Sequence, residues 1–240
     1  MTETHTGKRR IWELDFARGI AILIMIHGHF LYDLAEFAGV PVNYSSGFYY
    51  LLGRVGAFLF ISIAGVSCTL SRSNFRRGFR LLFIALALTA GSFLLAPDYA
   101  IWFGILHFLS VSMLLYALGD ALRLRIPAWA TALAGVAAIA LGLYFKTLSD
   151  PIGILFPLGI TAPGFTSADY YPLFPSLGVF LSGVAFGRHF YVNRDRRSLF
   201  RFDIGRNPVS WAGRHSLVIY LVHQPVLIGA VLLGMKLTGG

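Results

Sequence analysis

The sequence predicts an all-α membrane protein, a bundle of about seven transmembrane helices, and three observations carry that expectation. Of the 240 residues, 56% are hydrophobic and 13% charged, whereas soluble domains carry about 45–50% apolar and about 25% charged residues. The apolar residues fall into runs at about 12–38, 47–70, 79–96, 100–119, 126–146, 172–190 and 209–235. Each run is long enough to cross a hydrocarbon layer about 30 Å thick as a helix. The basic residues, finally, alternate from one connection to the next. This composition excludes a water-soluble enzyme, a secreted disulfide scaffold and a disordered chain.

The alternation also orients the chain. Lys8, Arg9 and Arg10 precede the first run, and Arg72, Arg76, Arg77 and Arg80 follow the second. Arg123 and Arg125 follow the fourth, and Arg188, Arg194, Arg196, Arg197, Arg201 and Arg206 follow the sixth. These positions hold 15 basic residues, against only Lys146 and Lys236 in the other connections and the C-terminus. Positive-inside reasoning places the N-terminus in the cytoplasm and the C-terminus outside it, in a multi-pass protein of the cell membrane. The basic loops read as topology determinants that meet anionic lipid. The net charge of +9 does not predict a nucleic-acid partner, because no folded soluble module presents it.

Asp15, Arg18, His27 and His29 interrupt the first run, so it reads as an uncleaved span and not as a signal peptide. Residues 1–240 read as one integral-membrane domain. The connection 147–171, rich in Pro, Gly and aromatic residues, has room for a short re-entrant or interfacial helix. Cys68 is the single cysteine; it reads as a small core residue, and no metal site is expected.

Ionisable groups inside spans are costly and mark cavities or partners. At 100° per residue, Asp15, Arg18, Ile22, His29, Asp33 and Glu36 share an arc of about 60° on the first span, while His27 points away. Arg18 lies toward the cytoplasmic end, and His29 about 16 Å further out. Arg214 opens the last span near the same inner face, whereas Arg54 and His107 lie in the outer half. An inner cationic mouth suits a phosphate-bearing ligand. An outer histidine flanked by carboxylates suits proton abstraction. An intrahelical ion pair between Asp15 and Arg18 is the simpler alternative.

Arg18 and His29, separated by ten residues, resemble the Arg-x10-His signature of the transmembrane acyltransferase-3 superfamily. Trp211-Ala-Gly-Arg-His-Ser-Leu-Val-Ile-Tyr-Leu-Val-His-Gln-Pro225 is similar to its last-helix pattern. Gly104-Ile-Leu-His107, and Asp169-Tyr-Tyr-Pro-Leu-Phe-Pro-Ser-Leu-Gly178 running on to Gly187-Arg188, resemble the catalytic-domain family of heparan-alpha-glucosaminide N-acetyltransferase in a short prokaryotic form. The resemblance covers nearly the whole chain.

It implies an integral-membrane acetyltransferase that moves an acyl group, expected to be acetyl, from cytoplasmic acyl-CoA to a sugar amine or hydroxyl on the other side. Acetyl-CoA is then the donor, and a glycan or amino sugar the acceptor. On this reading His29 is the general base and Asp33 orients it. Arg18 and Arg214 bind the CoA phosphates with help from Arg72, Arg76 or Arg77. Arg54, His107 and Asp169 shape the acceptor side. His223 and Gln224, beside Pro225, read as polar glue between helices, and Gly183-x-x-x-Gly187 as a helix contact; a homodimer stays open. Asn43-Tyr-Ser45 has the form of an N-glycosylation sequon. Two other classes compete: a small-molecule or lipid transporter, which would also carry an intramembrane polar pathway, and a bis-histidine haem or quinone protein, which could use His29, His107 and His223.

Overall fold

The computed structural model describes residues 11–194 and 197–238; Lys8, Arg9, Arg10 and Arg196 lie outside them. Among the described residues the structure is helical, with two isolated bridges and no strand. The helices are α1 (Trp12–Ala38), α2 (Gly47–Leu70), α3 (Asn74–Leu95), α4 (Ile105–Ala121), α5 (Ala128–Phe145), α6 (Leu173–Phe186), α7 (Pro208–Arg214) and α8 (Ser216–Thr238). Five of them, α1, α2, α3, α5 and α8, are long and apolar enough to cross a membrane. Their outward faces carry side chains that water would penalise, such as Leu94 and Leu95 of α3, which are 79% and 88% exposed; lipid is the solvent that suits them. The chain is a multi-span membrane protein.

Each expected apolar run contains a helix, but the bounds differ. Between 96 and 104 the chain forms a turn at Pro97–Tyr99 and an extended stretch, so α4 begins at Ile105 and is only 17 residues long. Proline 97 cannot continue α3. Helix α6 is 14 residues long and runs on through a π-turn, Gly187–Tyr191. The last run is broken at His215, whose backbone leaves helical geometry (φ −104°, ψ 15°), into α7 and α8.

The chain packs as two compact units. The first comprises residues up to Phe60 together with the segment from Arg196. Glu13 and Asp15 sit in the first turn of α1, where carboxylates favour the positive end of the helix dipole. The helix stops at Gly39, whose φ of 65° suits glycine, and the Val40 N–H donates back to the Leu34 carbonyl. Helix α7 starts at Asn207, whose Oδ1 accepts from the Ser210 N–H at 2.9 Å, with Pro208 at the first helical position. Helices α1 and α7 cross so closely that a Cβ on Gly19 would fall on the Val209 carbonyl, and one on Gly213 on the Asp15 carbonyl. Buried Glu13 accepts from the Leu199 N–H at 2.8 Å and the Ser198 hydroxyl at 2.9 Å, and the Trp12 ring meets Phe200 and Phe202.

The second unit runs from Ile61 to Asp195. Helix α6 lies close on α5 and on the second half of α2. Gly135 and Gly178 face each other, and Gly183 and Gly187 meet α2 at Ser62 and at Val66 and Thr69. The Gly183-x-x-x-Gly187 pattern is therefore a helix contact within this unit. Arg188 points inward: its Nη1 donates to the Thr131 hydroxyl at 3.0 Å and to the Ile126 carbonyl, and its guanidinium lies 5.6 Å from the Tyr116 ring centre. One of the basic-loop arginines thus clamps α4, α5 and α6 together.

The connection 147–171 holds a single 3₁₀ turn, Phe156–Leu158, and no re-entrant helix. Its order comes from two anchors. Asp150 accepts from the Leu155 N–H at 2.7 Å and the Ile152 N–H at 3.1 Å, and these donors hold its carboxyl below the ordinary range. Tyr170 donates to the Phe156 carbonyl at 2.6 Å, and burial pushes its phenol up to about 12.

Candidate active site

The polar stripe on α1 divides into three local settings. At its first turns, Arg18 Nη1 donates to Asp15 Oδ1 at 3.2 Å, the intrahelical i,i+3 pair. Arg18 is half-buried, and Arg214 of α7 is exposed, its Nη1 donating to the Gly205 carbonyl at 2.9 Å. At the far end, exposed Glu36 accepts from the Tyr44 hydroxyl at 2.6 Å, and that bond is the main reason the Tyr44 phenol is pushed up to about 12.

Between these ends, α1 meets α8 through polar groups. His29 is half-buried, and its Nδ1 stands 3.1 Å from Nε2 of His223 and 2.9 Å from the Met25 sulfur. The two rings lie 4.8 Å apart, tilted by 50°. His223 Nδ1–H donates to the Tyr220 carbonyl at 2.6 Å. His29 Nε2 has no partner among the described residues. His27, two positions away, is exposed and lies against Tyr49, as the helical arc requires.

One turn further along, Asp33 is fully buried, and its Oδ1 accepts from Gln224 Nε2 at 2.7 Å. Asp33 Oδ2 and Gln224 Oε1 are buried without partners among the described residues. The hydrogen-bond partner of Asp33 is therefore Gln224, with no Asp33–His29 hydrogen bond among the described residues. A residue four positions along a helix lies about 6 Å away on the same face, and the nearer donor is the amide that α8 supplies. His223 and Gln224, read from the sequence as interhelical glue, do join the helices, and they do so through His29 and Asp33 themselves. The sequence signal for this was two adjacent polar residues in the apolar last run, next to Pro225.

The remaining candidates are dispersed. Arg54 is exposed on α2. Arg72, Arg76 and Arg77 belong to the second unit; Arg72 and Arg76 are exposed, and Arg77 Nη1 approaches Asn74 Oδ1 at 3.4 Å. His107 is buried: Thr89 spends its proton on the Ile101 carbonyl at 2.6 Å, so its oxygen accepts from His107 Nε2–H at 3.2 Å. Phe103 stacks on the imidazole at 5.7 Å. Asp169 Oδ2 accepts from the Ile105 N–H at 2.9 Å and so caps the start of α4. Both residues order the entry to α4, and neither lies in the unit that holds His29. Among the described residues no group of three His, Cys, Asp or Glu side chains is arranged to hold a metal ion.

Chemically, the α1–α8 contact offers one imidazole nitrogen, His29 Nε2, without a partner among the described residues, in a half-buried position beside a second helix. That is an arrangement able to take a proton from a nearby N–H or O–H. In comparison with known families, residues 10–225 match heparan-alpha-glucosaminide N-acetyltransferase, catalytic. No curated protein and no solved structure matched the chain.

Proposed function

The chain belongs to the heparan-alpha-glucosaminide N-acetyltransferase catalytic family, whose members are membrane acetyltransferases, and from that premise we propose that it carries an acetyl group from cytoplasmic acetyl-CoA to a sugar amine or hydroxyl on the opposite face. The observation that carries this reading is His29, with Nε2 unpartnered among the described residues and Nδ1 held at 3.1 Å from His223. In the transfer His29 Nε2 takes the proton of the attacking amine or hydroxyl. The freed lone pair bonds to the thioester carbonyl carbon, the C–S bond breaks, and CoA leaves as a thiolate that is then protonated. Asp33 acts through Gln224, keeping α1 in register with α8, so that His29 stays where the acceptor arrives.

Arg18 and Arg214 supply the charge for the donor's phosphates. Arg18 stands 11 residues before His29, about 16 Å along the helix, so the donor's charged end and its thioester end are served at separate depths. The Asp15 carboxylate holds the Arg18 guanidinium beside the first turn of α1, at 3.2 Å. Arg72, Arg76 and Arg77, basic and next to the end of α2, read by the positive-inside rule as cytoplasmic residues of the second unit. Positive-inside reasoning puts that face in the cytoplasm, with seven crossings and the C-terminus outside.

The test is transfer across a sealed bilayer. Purified protein in proteoliposomes, given radiolabelled acetyl-CoA on the face bearing the 197–206 connection, should label an amino sugar or hydroxyl-bearing sugar on the other face. No label on any acceptor, with donor supplied on either face, would overturn the reading.

A further inference from the structure

Carbonyl oxygens accept hydrogen bonds and cannot donate them. His223 Nδ1 lies 2.6 Å from the Tyr220 carbonyl, so that nitrogen carries the proton. A neutral imidazole has one N–H, which leaves His223 Nε2 as a lone pair. His223 Nε2 is the atom that faces His29 Nδ1 at 3.1 Å. His29 Nδ1 must then be the donor, and its second nitrogen, Nε2, is left unprotonated. The direction of both hydrogen bonds is set by one backbone oxygen, the Tyr220 carbonyl.

We infer that His223 is a positioning residue that fixes the tautomer of His29, passing the acceptor character of the Tyr220 carbonyl across the α1–α8 contact so that His29 presents a bare Nε2. This rests on the proposed role of His29 as the base and extends it. An imidazole with Nε2 protonated could not take a proton there, and without His223 the Nδ1 of His29 is left with the Met25 sulfur at 2.9 Å, a weak acceptor that holds a proton on that nitrogen poorly. His223 thus fills the place usually taken by a carboxylate beside a catalytic histidine, and it does so without placing a charge in the bundle. Asp33, which would be the obvious carboxylate, is occupied by Gln224.

The tautomer can be read without any assay of activity. Protein labelled with ¹³C and ¹⁵N at histidine, in lipid bilayers, gives distinct solid-state resonances for the two tautomers, and His29 is assigned by its loss in His29→Asn. The wild type should show His29 with Nδ1 protonated and Nε2 bare, and His223 likewise. His223→Leu should move His29 toward the Nε2–H form and lower kcat about tenfold, the worth of one neutral hydrogen bond, with KM for acetyl-CoA unchanged. His223→Gln, whose amide oxygen can accept from Nδ1, should restore both the signal and most of the rate. A wild-type His29 protonated at Nε2 would overturn the inference even if no variant folded. So would a His29 signal that stays the same in folded His223→Leu. A correct tautomer in a protein whose His29→Ala variant keeps full activity would instead leave the positioning intact and remove the base assignment.

Discussion

The clearest quantitative consequence concerns the Asp33–Gln224 bond, because it ties a fully buried carboxyl of α1 to an amide of α8. Asp33 is fully buried, and among the described residues its carboxyl has a single donor, the Gln224 amide at 2.7 Å. Gln224→Leu fills similar space and removes that donor. Interhelical hydrogen bonds in membrane bundles are worth about 0.6 kcal/mol on average and up to about 1.7. Bonds to charged groups fall at about 1.5–3 kcal/mol. The overlap puts the loss near about 1.5 kcal/mol, or about 3–6 °C in Tm for a chain of this size. Asp33→Asn keeps an acceptor oxygen facing the amide and should cost about half as much. The double variant should show a coupling of about 1 kcal/mol, as for other contacting pairs. Thermal unfolding of the four proteins in one detergent measures all of this. A Gln224→Leu shift below about 1 °C, together with a large fall in rate for folded Asp33→Asn, would refute the bridging role and return Asp33 to orienting His29.

Three further outcomes follow from the same structure. Arg18→Ala and Arg214→Ala should each weaken acetyl-CoA binding by at least about tenfold, the loss of one charge-assisted contact, as measured by calorimetry; unchanged affinity in both would return Arg18 to its ion pair with Asp15. A reporter fused after Asn193 should read as cytoplasmic and one at the C-terminus as extracytoplasmic, and the reverse at Asn193 would overturn the orientation drawn from the basic residues. The Asp150 carboxyl is held low by the Leu155 and Ile152 amides, so its stabilising contribution is complete above the ordinary Asp value of about 3.9 and is lost as pH falls through the lower, folded value. Amide protection of residues 152–155, relative to the intrinsic exchange rate at each pH, should therefore fall below about pH 3.9, and Asp150→Ala should show that lower protection already at neutral pH.

Hydropathy and helical periodicity carry information about one helix at a time, and that is the part legible in the sequence. The apolar runs located the helices, and the 100° arc placed His29 on the polar stripe and His27 off it, as their half-buried and exposed positions bear out. The Asp15–Arg18 pair was legible for the same reason, since both residues lie within one turn. Periodicity cannot say which helix a face meets. His29 and His223 are 194 positions apart, and Asp33 and Gln224 are 191 apart, so neither pairing had a local trace. Arg188 misled in the same way: charge counting treats every loop arginine as solvated, whereas Thr131, Ile126 and Tyr116 draw this one inward. The break at His215 was not legible because Gly213, the one local signal beside it, is equally what a close helix crossing requires, and it does meet the Asp15 carbonyl.

The central claim is that His29 takes the proton in acetyl transfer, and the most direct test sets His29→Ala against His27→Ala in one assay. Both substitutions remove an imidazole from α1, two positions apart and on different faces. With radiolabelled acetyl-CoA and an amino-sugar acceptor, His29→Ala should lose about 10²–10⁴-fold in rate while its acetyl-CoA affinity stays near that of the parent, and His27→Ala should lose little. Equal losses at the two positions, or full activity in His29→Ala, would contradict the account.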